Sequence, residues 1–316
     1  IPKEAESFFA GLESKGRQPS TIKRYAYDLE DYFLWARARG TSLRERQWLK
    51  YSSREIEEYF KFLEETKHYS RRTLARILTV LKRLYGHFHD IGMIAKNPVE
   101  TITFTPGEDE NLTDNDFISA AEADQLFRSI PSLSGLSENQ QASRLFLGDR
   151  NLAIVRMFYH YGLTLAELVS LRLKDVHFEN NRLHVSSNSS VSRSLQIKPV
   201  HMNLIYNYYS HIPKPVRPRR HSADSLFVAF DFQRNTYRWD YSVDAPKRLT
   251  EIAVQKMIRQ EVRRAGLRPG ISTQHLRRTC ILRMLQTGDS VDHVQAITGM
   301  KSKLSLKKYI RMTENG

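Results

Sequence analysis

Between Ser70 and Phe88, apolar side chains fall at Leu74, Ile77, Leu78, Leu81, Leu84, Tyr85 and Phe88. Steps of three and four residues gather all seven on one face of an α-helix, and no strand could do so. The same period runs through Ile22, Tyr25, Leu29, Tyr32, Phe33 and Trp35, with Ser20 as N-cap and Gly40 as stop. It returns at Ile56, Tyr59, Phe60 and Leu63 behind Ser53, and Ser70 caps the longest run. Gly92 and then Asn97-Pro98 end regular structure. The first hundred residues therefore predict a small bundle of helices joined by short loops.

The stretch 101–116 is acidic, contains Pro106-Gly107 and has no period. It predicts a linker over 104–116, between an N-terminal helical domain of residues 1–103 and a second domain of residues 117–316. Two domains suit a chain of 316 residues. In the second domain, Ser119 to Glu122 fits a capping box leading into Leu126 and Phe127. A polar loop is expected over 135–141, then an apolar helix from Asp149-Arg150 to Gly162 and a further helical piece over 165–173. Polar and apolar residues alternate at Arg182-Leu183-His184-Val185 and at Ser194-Leu195-Gln196-Ile197 around a Ser/Asn-rich turn, the signature of a β-hairpin. An irregular basic loop is expected over 212–221, a short buried strand over 226–230 and a long loop over 231–246. Helices are read over 250–265, 273–286, 290–297 and 305–311. The fold class is mainly α with one small β element.

Charge narrows the function. Lys and Arg exceed Asp and Glu by 49 − 35 = 14. A folded chain this basic usually meets a polyanion, nucleic acid first among them. Lys23, Arg24, Arg71, Arg72, Arg76, Lys82 and Arg83 lie on the polar faces of the first and third helices. Acidic residues are nearly absent from Tyr69 to His89, so i, i+4 partners are missing there and phosphate contact is expected. The lone cysteine, Cys280, excludes a disulfide framework and a Cys-based zinc site within the chain, and reads as a small core residue. No apolar run approaches the ~20 residues that span a bilayer, and the first residues lack a signal core. A cytoplasmic protein with no membrane partner is expected.

Five segments share one order and spacing. Ser20 to Trp35 and Gly92 to Pro98 bracket the first domain. Gly162-Leu163-Thr164-Leu165-Ala166-Glu167-Leu168 is followed by Leu171 and Asp175. Gln274-His275-Leu276-Arg277-Arg278-Thr279 comes next, and Gly299-Met300 precedes Tyr309, with Met300 nine residues before it. This layout resembles the tyrosine recombinase (phage integrase) family over nearly the whole chain. The resemblance implies a two-domain C-shaped clamp on duplex DNA: a helical, SAM-like core-binding domain and a catalytic-like domain.

In that family a tyrosine attacks a DNA phosphate held by two arginines, a lysine and His or Trp groups. Arg277 and Tyr309 match two of those positions. The others are substituted: Thr164 stands where the first Arg belongs, Asn188 where the hairpin Lys belongs, Gln274 at a His position and Met300 at another. His275 is one residue late, about 100° further round its helix. A phenol of pKa ~10 is a poor nucleophile without a base. Losing a general acid costs about 10²–10⁴ in rate, and losing one electrostatic donor about 10²–10³. Thr164 cannot replace a bidentate cation, Met300 donates no hydrogen bond, and Gln274 cannot move a proton near pH 7.

The expectation is that Arg277 and Tyr309 are vestigial and no strand is cut. Binding needs none of the lost groups. The expected DNA contacts are Lys23, Arg24, Arg71, Arg72, Arg76, Arg83, Lys198, Arg219, Arg220, Arg259, Arg263, Arg277, Arg278, Lys301, Lys303, Lys307 and Arg311. The resemblance with its lost groups implies a sequence-specific regulator of double-stranded DNA, a repressor of phage or prophage genes, using no cofactor and no metal. Self-association on DNA and an inducer or antirepressor protein stay open. Two alternatives also stay open. One is an active recombinase with Lys198 or Arg193 as acid and His275 as base; the other is an accessory subunit of another recombinase.

Overall fold

The computed structural model describes residues 1–104, 112–187 and 190–314. They form two compact units, Ile1–Glu110 and Asn111–Gly316. The first holds α1 (Ala5–Ser14), α2 (Pro19–Ala38), α3 (Ser53–Glu65) and α4 (Arg71–Asp90). Its core is aromatic: Tyr32, Phe33, Trp48, Tyr59, Tyr85 and Phe88 are all buried. The two buried phenols of Tyr32 and Tyr85 bond at 2.6 Å, and Tyr85 donates onward to the Trp48 carbonyl at 2.8 Å. Their polar ends are thereby satisfied inside an apolar packing.

Two caps differ from expectation. Ser20 is not the cap of α2, because Pro19 takes the first helical position with Gln18 before it, and the proline ring pre-sets the helical φ. α3 is capped by Ser52, not Ser53. Only Ser52 has a Glu three residues on, and the Glu55 carboxylate accepts the Ser52 N–H at 2.7 Å. Ser53 donates instead to the Pro98 carbonyl at 2.7 Å. Ser70 caps α4 as expected. α1 sends only Ala5, Phe8 and Leu12 into the core, a stripe too short for periodicity to reveal.

The second unit is built on α6 (Glu138–Tyr161), whose Ile154, Val155, Met157 and Phe158 are buried. Around it stand α5 (Ala120–Ser129), α7 (Leu165–Ser170), α8 (Pro199–His211), α9 (Glu251–Arg264), α10 (Thr273–Gln286), α11 (Val291–Thr298) and α12 (Lys307–Glu314). An antiparallel sheet, β1 (Val176–His177), β2 (Arg182–Val185) and β3 (Arg193–Gln196), pairs Leu183 with Leu195 and Val185 with Arg193. The hairpin was expected; β1 adds an edge to it. The expected loop over 231–246 is instead two tight ladders, β4 (Phe230–Asp231) with β5 (Thr236–Tyr237) and β6 (Trp239–Asp240) with β7 (Ala245–Pro246).

The start of α6 is the larger correction. Residues 138–141 are helical rather than loop, and Ser137 with Gln140 forms the capping box that begins the helix. The first half of α6 looks solvated in sequence because its polar residues are used inside. Glu261 of α9 is buried, and Arg144, Asn151 and Arg264 reach it at 2.6, 3.1 and 2.8 Å. Arg150 is buried beside them and donates to the Val228 carbonyl at 3.2 Å.

A neutral histidine pair closes the far end of α6. The His160 and His201 rings lie 4.6 Å apart. Arg156 donates to His160 Nε2 at 3.0 Å, and the Tyr161 hydroxyl meets His201 Nδ1 at 2.8 Å while accepting the Lys198 N–H at 2.8 Å. Burial, helped by the charges of Arg156, Arg283 and Lys198, pushes His160 down to about 3. Burial with Arg156 and Lys198 pushes His201 down to about 4. The unfolded chain takes up these protons near pH 6.5, the folded one only well below it, so their contribution is intact above pH 6.5 and lost as pH falls toward 4. The melting temperature should fall over that window, and less steeply in a His160→Gln/His201→Asn variant. Parallel curves for parent and variant would contradict this.

Candidate functional site

α6 ends on Gly162, whose φ of 59° is the left-handed turn that sends the chain into α7. Thr164 is the N-cap of α7: its hydroxyl accepts the Glu167 N–H at 3.2 Å, and the Glu167 carboxylate accepts the Thr164 N–H at 2.7 Å. A short neutral cap therefore stands where the resemblance places a guanidinium.

Glu167 is the hub of the site. It has no exposed surface. Arg193 from β3 delivers two N–H groups to it, at 2.5 and 3.3 Å, and Ser190 donates at 2.5 Å. Burial pushes the Glu167 carboxyl up, but the Arg193 and Ser190 bonds and the Thr164 N–H outweigh it and hold the group ionised below its usual range. Arg193 also donates through Nε to the Ile297 carbonyl at 2.6 Å. The Val191 N–H meets the Gly299 carbonyl at 3.1 Å. Gly299 has φ 67°, and a Cβ there would fall 2.3 Å from Arg193 Nη1, so this corner needs glycine twice over. In sequence Glu167 is only one member of a motif and Arg193 only a candidate cation.

Arg277 enters the same cluster from α10. It is buried, donates to the Gly162 carbonyl and to Thr298 O at 3.0 Å, and keeps Nη1 3.8 Å from Glu167. Burial lowers its affinity for its proton while the Glu167 charge opposes that. Arg278, next in sequence, turns to another corner and pairs with Asp116.

Tyr309 lies in that second corner. It is 2% exposed, among Leu112, Phe117, Ile281, Val294 and Leu306. The Phe117 ring meets it edge-on at 6.4 Å. Burial pushes the phenol above its ordinary value, against the charges of Arg278 and Arg277 and a hydrogen bond from Arg278. Met300 is half-buried against the same cluster. Gln274 is exposed on the first turn of α10, with no hydrogen bond among the described residues. His275 caps that helix: its Nδ1 is 2.8 Å from the Ser272 hydroxyl, and it also bonds the Asn115 backbone. Burial, then the charges of Arg278 and Arg268, lower its pKa, so it is mostly neutral at pH 7. Asn188 lies outside the described residues.

The basic positions differ in exposure and in the partners they meet. In the first unit Lys23, Arg24, Arg71 and Arg72 are exposed, and Arg83 lies 5.7 Å from the Tyr25 ring. Within 69–89 no i, i+4 ion pair forms among the described residues, as expected, but partners come from elsewhere. Asp28 of α2 takes Arg76 and, at 3.8 Å, Arg24, while Glu64 of α3 takes Arg71 at 2.9 Å. In the second unit Arg259 and Arg263 are exposed on α9 with no ion pair among the described residues. Lys198 and Arg220 are exposed, as are Lys301, Lys307 and Arg311. Arg219 pairs with Asp224 at 3.0 Å and Lys303 with Asp292. No helix among the described residues is long and apolar enough to cross a membrane.

Known proteins match both units. The model of the phage integrase family matches residues 135–315, and that of the phage integrase N-terminal SAM-like domain matches residues 5–88. A tyrosine recombinase XerC from Shewanella amazonensis is 25% identical over 281 residues, covering 89% of this chain and 81% of that protein. A tyrosine recombinase XerD from Oceanobacillus iheyensis is 23% identical over 310 residues, covering 98% and 93%. Among solved structures, the XerH site-specific recombinase bound to its palindromic difH substrate is similar in fold at 16% identity, TM-score 0.70, covering 97% of this chain and 82% of that one. The Tn1549 transposon integrase in complex with circular intermediate DNA gives TM-score 0.66 at 18% identity, covering 96% and 94%. With a family model matching more than half of its length, and a second model matching the unit before it, the chain belongs to the phage integrase family.

Proposed function

We propose that this member of the family binds specific double-stranded DNA sites without cutting them, and acts as a repressor of phage or prophage genes, of the kind that holds SPβ-type prophages silent. The observation that carries the reading is Tyr309 itself, a buried phenol with a raised pKa packed against the Met300 thioether, with only a threonine cap at 164 and a capping histidine at 275 at or next to the positions the family fills with catalytic groups. Arg193, one candidate acid, is a guanidinium tied to Glu167, and a guanidinium does not give up its proton near neutral pH. His275 Nδ1 is held by the Ser272 N–H and hydroxyl in the cap of α10, which takes that nitrogen out of use as a base.

Binding asks only for placed cations. The exposed Arg259 and Arg263 of α9, and the basic residues at the starts of α2 and α4, supply them in each unit. Residues 1–103 would serve as the core-binding domain, 104–116 as linker and 117–316 as the catalytic-like domain. Self-association on the site fits the reading: a λ integrase dimer bound to a core site shares the fold at TM-score 0.61 and 14% identity.

Footprinting on genomic fragments tests the proposal. Discrete protected sites, equally occupied by the parent and by Tyr309→Phe, are expected. Uniform, sequence-indifferent protection would refute it and favour an accessory subunit.

A further inference from the structure

The cluster around Glu167 contains two guanidiniums and one carboxylate, all buried, leaving one net positive charge. The geometry divides that charge unevenly. Glu167 is bonded by Arg193 at 2.5 and 3.3 Å, while Arg277 stands off at 3.8 Å, beyond hydrogen-bond length. Arg277 is held instead by two backbone carbonyls, which orient it without neutralising it. Arg193 is placed for this task by a fork that lysine lacks: Nε on the Ile297 carbonyl, both Nη groups on Glu167, and a glycine at 299 that makes room for it.

We propose that Arg193 is a positioning residue for phosphate capture by Arg277. It absorbs the charge of Glu167, so the Arg277 charge is left over for a DNA phosphate. Without it, Glu167 would draw the neighbouring Arg277 guanidinium into a direct pair and cancel the site. The hairpin thus restores, from 26 residues away, the balance that Thr164 cannot supply. This inference rests on the DNA-binding reading and on Arg277 as a phosphate anchor.

The experiment is a set of DNA titrations at several salt concentrations, with thermal melts to verify folding. Arg193→Gln should weaken binding roughly 10- to 100-fold, as loss of a hydrogen bond to a charged group does. It should also reduce the salt slope by about 0.9, one phosphate fewer. In an Arg277→Gln background the same change should add nothing. Glu167→Gln should rescue Arg193→Gln, because it removes the carboxylate that would capture Arg277. A purely structural Arg193 would leave the salt slope unchanged, weaken both backgrounds alike and show no rescue; any of these overturns the proposal. Specific binding by the parent with additive Arg193 and Arg277 effects sinks this inference alone. Absence of specific binding by the parent sinks the DNA-binding reading, and this inference with it.

Discussion

Replacing Glu167 with alanine should lower the melting temperature by about 6–20 °C. The figure follows from the cost of breaking a buried ion pair by removing one partner, about 3–5 kcal/mol, and from a shift of about 2–4 °C per kcal/mol in a unit of this size. The change deletes the carboxylate that faces Arg193, Arg277, Ser190 and the Thr164 cap together. Arg193 and Arg277 would be left buried with no carboxylate beside them among the described residues, and α7 would lose half its capping box. Glu167→Gln keeps the shape and an acceptor oxygen, so it should cost less. Differential scanning calorimetry measures both. An alanine variant melting within about 2 °C of the parent would show that Glu167 is not the counter-ion of this cluster.

Raising the salt concentration from 50 to 200 mM should weaken DNA binding by about 10³–10⁵, the loss for six to ten neutralised phosphates. Eight exposed cations read from sequence have no ion pair among the described residues, which fits that range: Lys23 on α2, Arg72 on α4, Arg259 and Arg263 on α9, Lys307 and Arg311 on α12, and also Lys198 and Arg220. Among the described residues, five of the basic positions read from sequence hold a carboxylate within 3.0 Å: Arg71, Arg76, Arg219, Arg278 and Lys303. A phosphate must compete with that partner, so these residues add less to the slope than their number suggests. Fluorescence anisotropy against log salt reads the slope directly. A slope shallower than about −2 would mean that charge neutralisation does not drive binding.

Residues that act along one helix were legible in the sequence, and residues that act across elements were not. The stripe behind Ser70 predicts α4 and its buried face. The alternation at 182–185 and 194–197 predicts the hairpin. Ser52 as cap of α3 was also readable, since Glu55 stands three residues on. Partners far along the chain leave no local mark. Arg76 meets Asp28 48 residues away, and Arg278 meets Asp116 162 residues away. Arg144 and Asn151 carry no local sign of their partner, because Glu261, which they bond, lies more than 100 residues on. The hub that holds the site together could not be read from sequence, because a motif names Glu167 without showing that its partner is Arg193.

Incubation with a nicked suicide substrate carrying a footprinted site tests the central claim most directly. A stable complex on that site, with no protein covalently joined to a strand end, is the predicted result. A covalent adduct that disappears in Tyr309→Phe would contradict it, and would make the chain a recombinase with an unusual set of helping groups.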